Sequence, residues 1–387
     1  DKNMTKETKT PKVKILVGYH KPAVLLKDDI LTPIHLGRAL ATQASKDGEM
    51  SKEDFEWMCE NMIGDDTGDN ISHLNRYFCE LTGIYWAWKN YDKLSNPDYI
   101  GFMHYRRHFI FDEHDRTFSY SFVTYDEYYN DGLYKIQLYN FLNLYDIIST
   151  NPYYDDFINV EQYYKGKEAE KDGHIAEDYD ALRCLVKDSG GIINLFFDDY
   201  SKSHKHYAAN MFIMKKDLFF NYCSLLFDII FKLHNNTNYH GRSLQQIRSI
   251  GFISERLTGA YLFMLLQNST KIVFVPRYDV VDNNSRQFGA INIVQNSLSY
   301  KIGKVLFNLR SKNIFLISFS LLNILFKHKK QYRIIMYIKT LKTKFVFRSL
   351  KNYDDYQEAI KIKNSDICQL GKKIAKNPFY LFYWRFK

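Results

Sequence analysis

Asp98-Tyr99-Ile100-Gly101-Phe102-Met103-His104-Tyr105-Arg106-Arg107-His108-Phe109 is the stretch on which the fold turns. Tyr99 to Met103 is a short apolar run that follows the break at Asn96-Pro97 and ends in a crowd of polar side chains, the pattern of a buried strand. Upstream, Ile71, Leu74, Phe78, Leu81, Tyr85 and Trp88 recur at spacings of 3 and 4 and predict one amphipathic helix through Lys89. The turn residues Gly64 to Asn70 precede it, with Asp69 or Asn70 as the N-cap. Further out, Val13 to Val17, stopped by Gly18, reads as a buried first strand, because the run is short and β-branched. Strands are expected at 146–150, 211–214 and 272–275, just before Pro276, and helices at Leu218 to Leu233 and Ile253 to Leu266. Strand and helix patterns alternate as in an α/β sheet.

Composition fits that class. The 387 residues suffice for a large α/β domain with an appendage, and 45% hydrophobic with 25% charged residues is the balance of a globular protein. The 31 tyrosines and 29 phenylalanines suit stacking on sugars or bases, and equally suit large cores. The five cysteines form no CxxC pair and have no histidine partner at metal-ligand spacing, so they read as reduced, buried thiols. No secretory signal opens the sequence, which makes the cytoplasm the expected compartment.

Charge is unevenly spread. The net charge is +9, yet residues 301–387 hold 20 Lys/Arg against 4 Asp/Glu, so the rest of the chain is mildly acidic. The basic tail interleaves cations with large apolar residues. Its most apolar stretch, Asn313 to Phe326, is shorter than the roughly 20 residues a spanning helix needs and is expected to lie on an anionic membrane surface. That interleaving suits lipid better than a duplex groove, so nucleic acid is not an expected partner. The alternative for the tail is a packed helical subdomain or a dimer interface.

Four motifs in order, LVGYHKP, IGDDTGDNIS, ELTGIYWAWKN and DYIGFMHYRRHF, resemble a bacterial family long catalogued as a domain of unknown function, whose members are encoded among capsule and exopolysaccharide glycosyltransferases. The resemblance covers roughly residues 13 to 290. It implies a GT-A-like nucleotide-sugar transferase domain, a Rossmann-like mixed sheet flanked by helices. The expected organisation is a lead-in over 1–12, a catalytic domain over 13–300 and a basic, mainly helical region over 301–387.

Ligands of open α/β sheets bind beyond the carboxyl ends of strands, so Gly18, Tyr19, His20 and Lys21 are donor-site candidates. The resemblance implies an acidic metal-binding pair at the end of the second buried strand, where this chain carries His104, Tyr105, Arg106 and Arg107. Arginines can neutralise a diphosphate leaving group through bidentate contacts. No metal is therefore expected to be required, with Mg or Mn as the alternative, held by Asp65 and Asp66. Asp65 and Asp69 otherwise suit the donor's base or ribose, or the capping of the helix. Asn75, Glu80 and Lys89 fall on that helix's polar side, Asn75 being a donor-site candidate.

An inverting transfer needs a carboxylate base. Glu255 is the candidate, placed in the first turn of a helix, with Asp66 as the second choice; a dipole-favoured glutamate or a surface pair with Arg256 is the plainer reading. Asn210 is a candidate for a sugar hydroxyl, and Tyr153, Tyr154, Tyr163 and Tyr164 for an acceptor groove, the plainer reading of such a Tyr-rich segment being a loop packed down. The expected function is hexosyl transfer from a nucleotide sugar, a UDP-sugar such as UDP-galactofuranose, to a lipid-linked glycan at the inner face of the cytoplasmic membrane. The other class that fits is a non-catalytic carbohydrate-binding or scaffold component of polysaccharide assembly.

Overall fold

The computed structural model describes residues 10–43, 48–114, 116, 118–122, 133–207, 209–280, 294–295, 297–308, 321–325 and 356–377. They fall into two compact units, the first running to Tyr120 and resuming over Tyr134–Asp279, the second comprising Ser121–Leu133 and Val280–Lys387. The strands are β1 (Val13–Tyr19), β2 (Leu31–His35), β3 (Ile63–Gly64), β4 (Tyr99–His104), β5 (Arg107–Phe109), β6 (Ser119–Phe122), β7 (Ile147–Thr150), β8 (Tyr153–Tyr154), β9 (Lys205–His206), β10 (Phe212–Lys215), β11 (Ile272–Val275) and β12 (Arg277–Val280).

In the first unit a mixed sheet runs in the order β11-β7-β10-β4-β1-β2-β3. β1, β2, β3 and β4 are mutually parallel, as are β7 and β11, and β10 is antiparallel to both β4 and β7. β1 and β4 are buried almost throughout, as central strands covered on both faces should be. One face packs Leu16, Phe102, Ile147 and Phe212 against the helices Leu81–Lys89, Lys216–Asn236 and Ser249–Gln267 in one continuous core. The strands expected around 146–150, 211–214 and 272–275 are present within a residue of their forecast bounds.

The helix expected from Ile71 through Lys89 is not continuous. A 3-10 turn at Ser72–Leu74 leads into Asn75–Phe78, the chain breaks at Cys79, and a second helix runs over Leu81–Lys89. Cys79 has φ 50°, outside the range a helix tolerates. The freed Cys79 carbonyl accepts a hydrogen bond from Asn75 Nδ2 at 2.8 Å. The kink sits against Gly251, where a Cβ would come within 2.8 Å of Cys79 Sγ. Apolar periodicity could not reveal the break, because both pieces keep the same stripe facing the core. Its effect is to set Glu80 at the head of the second piece.

The sequence His104-Tyr105-Arg106-Arg107 is more than a strand end. His104 and Arg107 pair across an antiparallel hairpin whose turn is Tyr105-Arg106, and β5 goes on to pair with β12.

In the second unit the helices Leu298–Asn308 and Asp366–Lys376 pack closely, with Ile302, Leu306, Leu321 and Ile374 between them. A side chain at Gly303 or Gly371 would collide with the facing backbone. Among the described residues no helix is long and apolar enough to cross a membrane. Of the apolar stretch Asn313 to Phe326, only 321–325 is described, so the expected surface-lying segment falls otherwise outside the described residues.

Candidate functional site

The chain passes from β1 to β2 and β3 on one side, then returns to β4 on β1's other side. Such a reversal leaves a crevice at the carboxyl ends of the strands. A cavity of about 1270 Å³ opens there, within the first unit, and is lined by the residues that leave β1 (His20, Lys21), β2 (Leu36, Gly37), β4 (His104) and β11 (Arg277).

The hairpin tip forms one wall. Tyr105 is buried and stacks on Tyr19 with ring centroids 5.3 Å apart, His20 meets its edge, and the Arg106 guanidinium lies over its ring at 5.2 Å. Tyr19 itself is buried, donates to the Val24 carbonyl and accepts from Leu26 N, so it anchors the loop after β1. Burial lifts its pKa to about 12. The His104 pKa is held well below the usual imidazole value by burial, with further depression from Arg107, His20, Arg277 and Arg106. A neutral imidazole here leaves the positive charge to the arginines.

Arg277 is the residue that reading the sequence missed. It is 9% exposed, and its Nε and Nη1 are buried without hydrogen-bond partners. Its guanidinium stacks on Phe118 at 4.7 Å. Asp279 lies 3.5 Å from Arg277 Nε and 3.6 Å from Arg107 Nε, close enough for attraction and too far for hydrogen bonds. Two guanidiniums thus share one carboxylate, leaving an excess positive charge at the cavity wall. The strand-end rule that drew attention to His104 reaches Arg277 equally, since Ile272 to Val275 and Pro276 were legible.

Glu80 and Glu255 line the same cavity from the other layer. Glu80 accepts from Asn210 Nδ2 at 2.9 Å. Its pKa is raised by burial and then by the Glu255 charge, with Arg107 pulling the other way. Glu255 sits in the second turn of a helix that begins at Ser249, six residues earlier in the chain, rather than in the first turn. A favourable end-of-helix dipole therefore does not explain it.

Asn210 is fully buried and spent within the chain. Its Nδ2 donates to Glu80 and Ser254, and its Oδ1 accepts from Thr258. With amide donor and acceptor both engaged, its geometry is that of a bracket for Glu80 and not of a contact to a sugar hydroxyl. Ala209 beside it lines the cavity with φ 68°, a conformation that costs a non-glycine residue energy and recurs at functional sites.

The acidic loop lies elsewhere. Asp65 is 0% exposed and accepts from Gly37 N, Arg38 N, Ser72 Oγ and Thr82 Oγ1 at 2.5–3.1 Å. It fixes the loop after β2, which carries Gly37 to the cavity, and has no lone pair left over for a donor. Burial nevertheless raises its pKa, against the pull of those donors. Asp69 accepts from Tyr85 Oη at 3.0 Å. Asp66 is exposed, and neither it nor Asp69 is part of the cavity lining. Gly18, where a Cβ would press on Leu36 Cδ1, and the exposed Tyr154 are also off the wall. Asn75 and Tyr153 are on it. Among the described residues no three His, Cys, Asp or Glu side chains are grouped to hold a metal ion.

Tyr163 and Tyr164 belong to a short helix, Val160–Tyr164, started by a capping box in which Asn159 and Gln162 exchange hydrogen bonds. Replacing Asn159 with Ala should cost about 1 kcal/mol of stability, read as a shift of the urea midpoint. An unchanged midpoint would mean that tertiary contacts alone hold this segment.

No curated protein matches the chain. A solved structure described as the apo form of the bifunctional glycosyltransferase WbbM is similar to it, with a TM-score of 0.58 and 29% identity over 78% of this chain. The match covers 54% of that protein, so the chain spans about half its length. Residues 229–384 match the domain of unknown function DUF8374. Residues 14–268, which hold the central sheet up to the helix before β11, match the domain of unknown function DUF4422, and by the extent of that match the chain belongs to the DUF4422 family.

Proposed function

We propose that the first unit transfers a hexosyl group from a nucleotide-sugar donor to a glycan acceptor, in the manner of an inverting GT-A enzyme. What carries the reading is the presence in one cavity of partly unpaired guanidiniums, Arg107 and Arg277, with the carboxylates Glu80 and Glu255. The sheet order, with one antiparallel strand between β4 and β7, and the likeness to a glycosyltransferase over most of the chain support it.

In this reading Arg106, Arg107 and Arg277 hold the donor diphosphate. Glu255 takes the proton of the acceptor hydroxyl as its oxygen attacks the anomeric carbon. The bond from that carbon to the diphosphate oxygen breaks, and the charge left on the nucleoside diphosphate is met by the guanidiniums. Asn210 holds Glu80 beside Glu255, and burial together with the Glu255 charge raises the Glu80 pKa, which disfavours two anions side by side.

The residues at the end of β4 do not fit a divalent cation, because the hairpin presents two arginines and a neutral histidine where carboxylates would be needed. Transfer or donor hydrolysis, assayed with UDP-sugars including UDP-galactofuranose, is therefore expected to persist in EDTA. Activity lost to chelation and restored by manganese or magnesium would move the charge-neutralising role from the arginines to a metal. Absence of both transfer and hydrolysis with every nucleotide sugar, together with retained glycan binding, would favour the scaffold reading.

The acceptor in this proposal is a glycan on a lipid carrier, with the basic residues after Tyr300 holding the protein at the cytoplasmic leaflet. Each Lys or Arg near an anionic surface contributes about 1 kcal/mol. Flotation with anionic vesicles at low salt, abolished at high salt, is the expected result. Equal recovery with neutral and anionic vesicles would remove the electrostatic part of the claim.

A further inference from the structure

Arg256, next to Glu255 on the helix Ser249–Gln267, is 3% exposed and lines the cavity. Its Nε is buried with no hydrogen-bond partner, and no described carboxylate forms an ion pair with it. A guanidinium stays charged at every pH the protein meets. Burying that charge without a counter-charge is costly, so the position makes physical sense where a ligand brings an anion.

The surroundings say what else the ligand carries. The guanidinium lies over the rings of Tyr163 and Tyr164 at 5.8 and 5.7 Å. Tyr163 also meets His206 edge-on at 5.4 Å, and Tyr153 meets the same imidazole at 5.8 Å. His206 Nε2 is 3.0 Å from the Ile158 carbonyl oxygen, which can only accept, so the proton is on Nε2. That leaves Nδ1 with a bare lone pair; His206 lines the cavity, and its Nδ1 is buried without a partner. Burial, and after it the Arg256 charge, press the imidazole pKa down and keep that lone pair available.

This wall offers a cation, a hydrogen-bond acceptor and the partly open rings of Tyr153 and Tyr163. A diphosphate has no donor to give His206 Nδ1. A sugar with a negatively charged substituent satisfies every element: its oxyanion on Arg256, a hydroxyl donating to His206, its apolar ring face on a tyrosine. We propose that Arg256, His206, Tyr153 and Tyr163 form a subsite for an acidic sugar, one bearing a carboxylate or a phosphate ester, and that this sugar is the acceptor. Only its naming as acceptor rests on the glycosyl-transfer reading.

Calorimetric titration of the full chain with methyl glucuronide, glucose 6-phosphate and neutral methyl glucoside, and separately with UDP, tests it. The wild type is expected to bind at least one of the two acidic sugars more tightly than the glucoside, and which one names the anion. Arg256→Gln is expected to weaken that binding by about tenfold or more while UDP affinity stays the same. Should Arg256→Gln fail to fold, Arg256→Lys, which keeps the charge and loses the fork, is expected to bind the acidic sugar more weakly with UDP affinity unchanged. Equal binding of acidic and neutral sugars would overturn the proposal. So would an Arg256 variant that binds the acidic sugar as the wild type does, or one that loses UDP instead. Acidic-sugar binding that depends on Arg256 in a protein with no affinity for UDP would uphold the subsite and sink the UDP-sugar reading.

Discussion

Glu255→Gln is expected to lower turnover by about a hundredfold or more while UDP affinity and thermal stability stay near wild type. Glutamine keeps the size and hydrogen-bonding reach of the side chain and loses the ability to take a proton. Glu255 lines the cavity in the second turn of a helix whose inner face is packed in the core, so the exchange disturbs no buried contact that the fold needs. Glu80→Gln serves as the comparison. Glu80 accepts from Asn210, and burial and the Glu255 charge raise its pKa, so a neutral amide should be tolerated far better there. Near-wild-type turnover in Glu255→Gln with a severe loss in Glu80→Gln would exchange the two roles.

Arg277→Ala is expected to weaken UDP binding by roughly ten- to a hundredfold, the equivalent of about 1.5–3 kcal/mol for a charge-assisted hydrogen bond. The side chain is nine-tenths buried with two N–H groups unsatisfied, and Asp279 stands too far off to engage them. Removing Arg107 as well should weaken binding further, though not additively, because the two share Asp279. Arg277→Lys should recover only part, since an ammonium lacks the planar fork. Calorimetry on a folded double variant that still binds UDP as the wild type does would take these arginines out of the donor site.

Much of the scaffold was legible in the sequence because buried strands announce themselves by short apolar runs closed with Gly, Pro or polar clusters. Val13 to Val17, Tyr99 to Met103 and Ile272 to Val275 all follow this rule. The place of the cavity was legible to the same extent, since it follows from strand ends. His20, Lys21 and the His104–Arg107 hairpin line the cavity together with Glu255.

The acidic cluster misled for a definite reason. Carboxylates in a Gly-rich turn can face a ligand or the chain's own donors, and composition is the same in both cases. Asp65 turned inward because Ser72, Thr82 and two backbone N–H groups converge on it from segments up to 28 residues away. Asn210 is similar, its partners lying 44 to 130 residues distant.

Alone, the sequence determined the α/β class, the central strands, the uneven charge and the strand-end motifs, all of which depend on residues close together in the chain. Tertiary structure decided which charges are satisfied. Whether Arg256 and Arg277 are surface residues or buried cations facing a cavity depends on what distant segments bring beside them. The break at Cys79 likewise depends on its fit against Gly251, 172 positions on, because a side chain's desolvation and its partners are set by packing that no local pattern encodes.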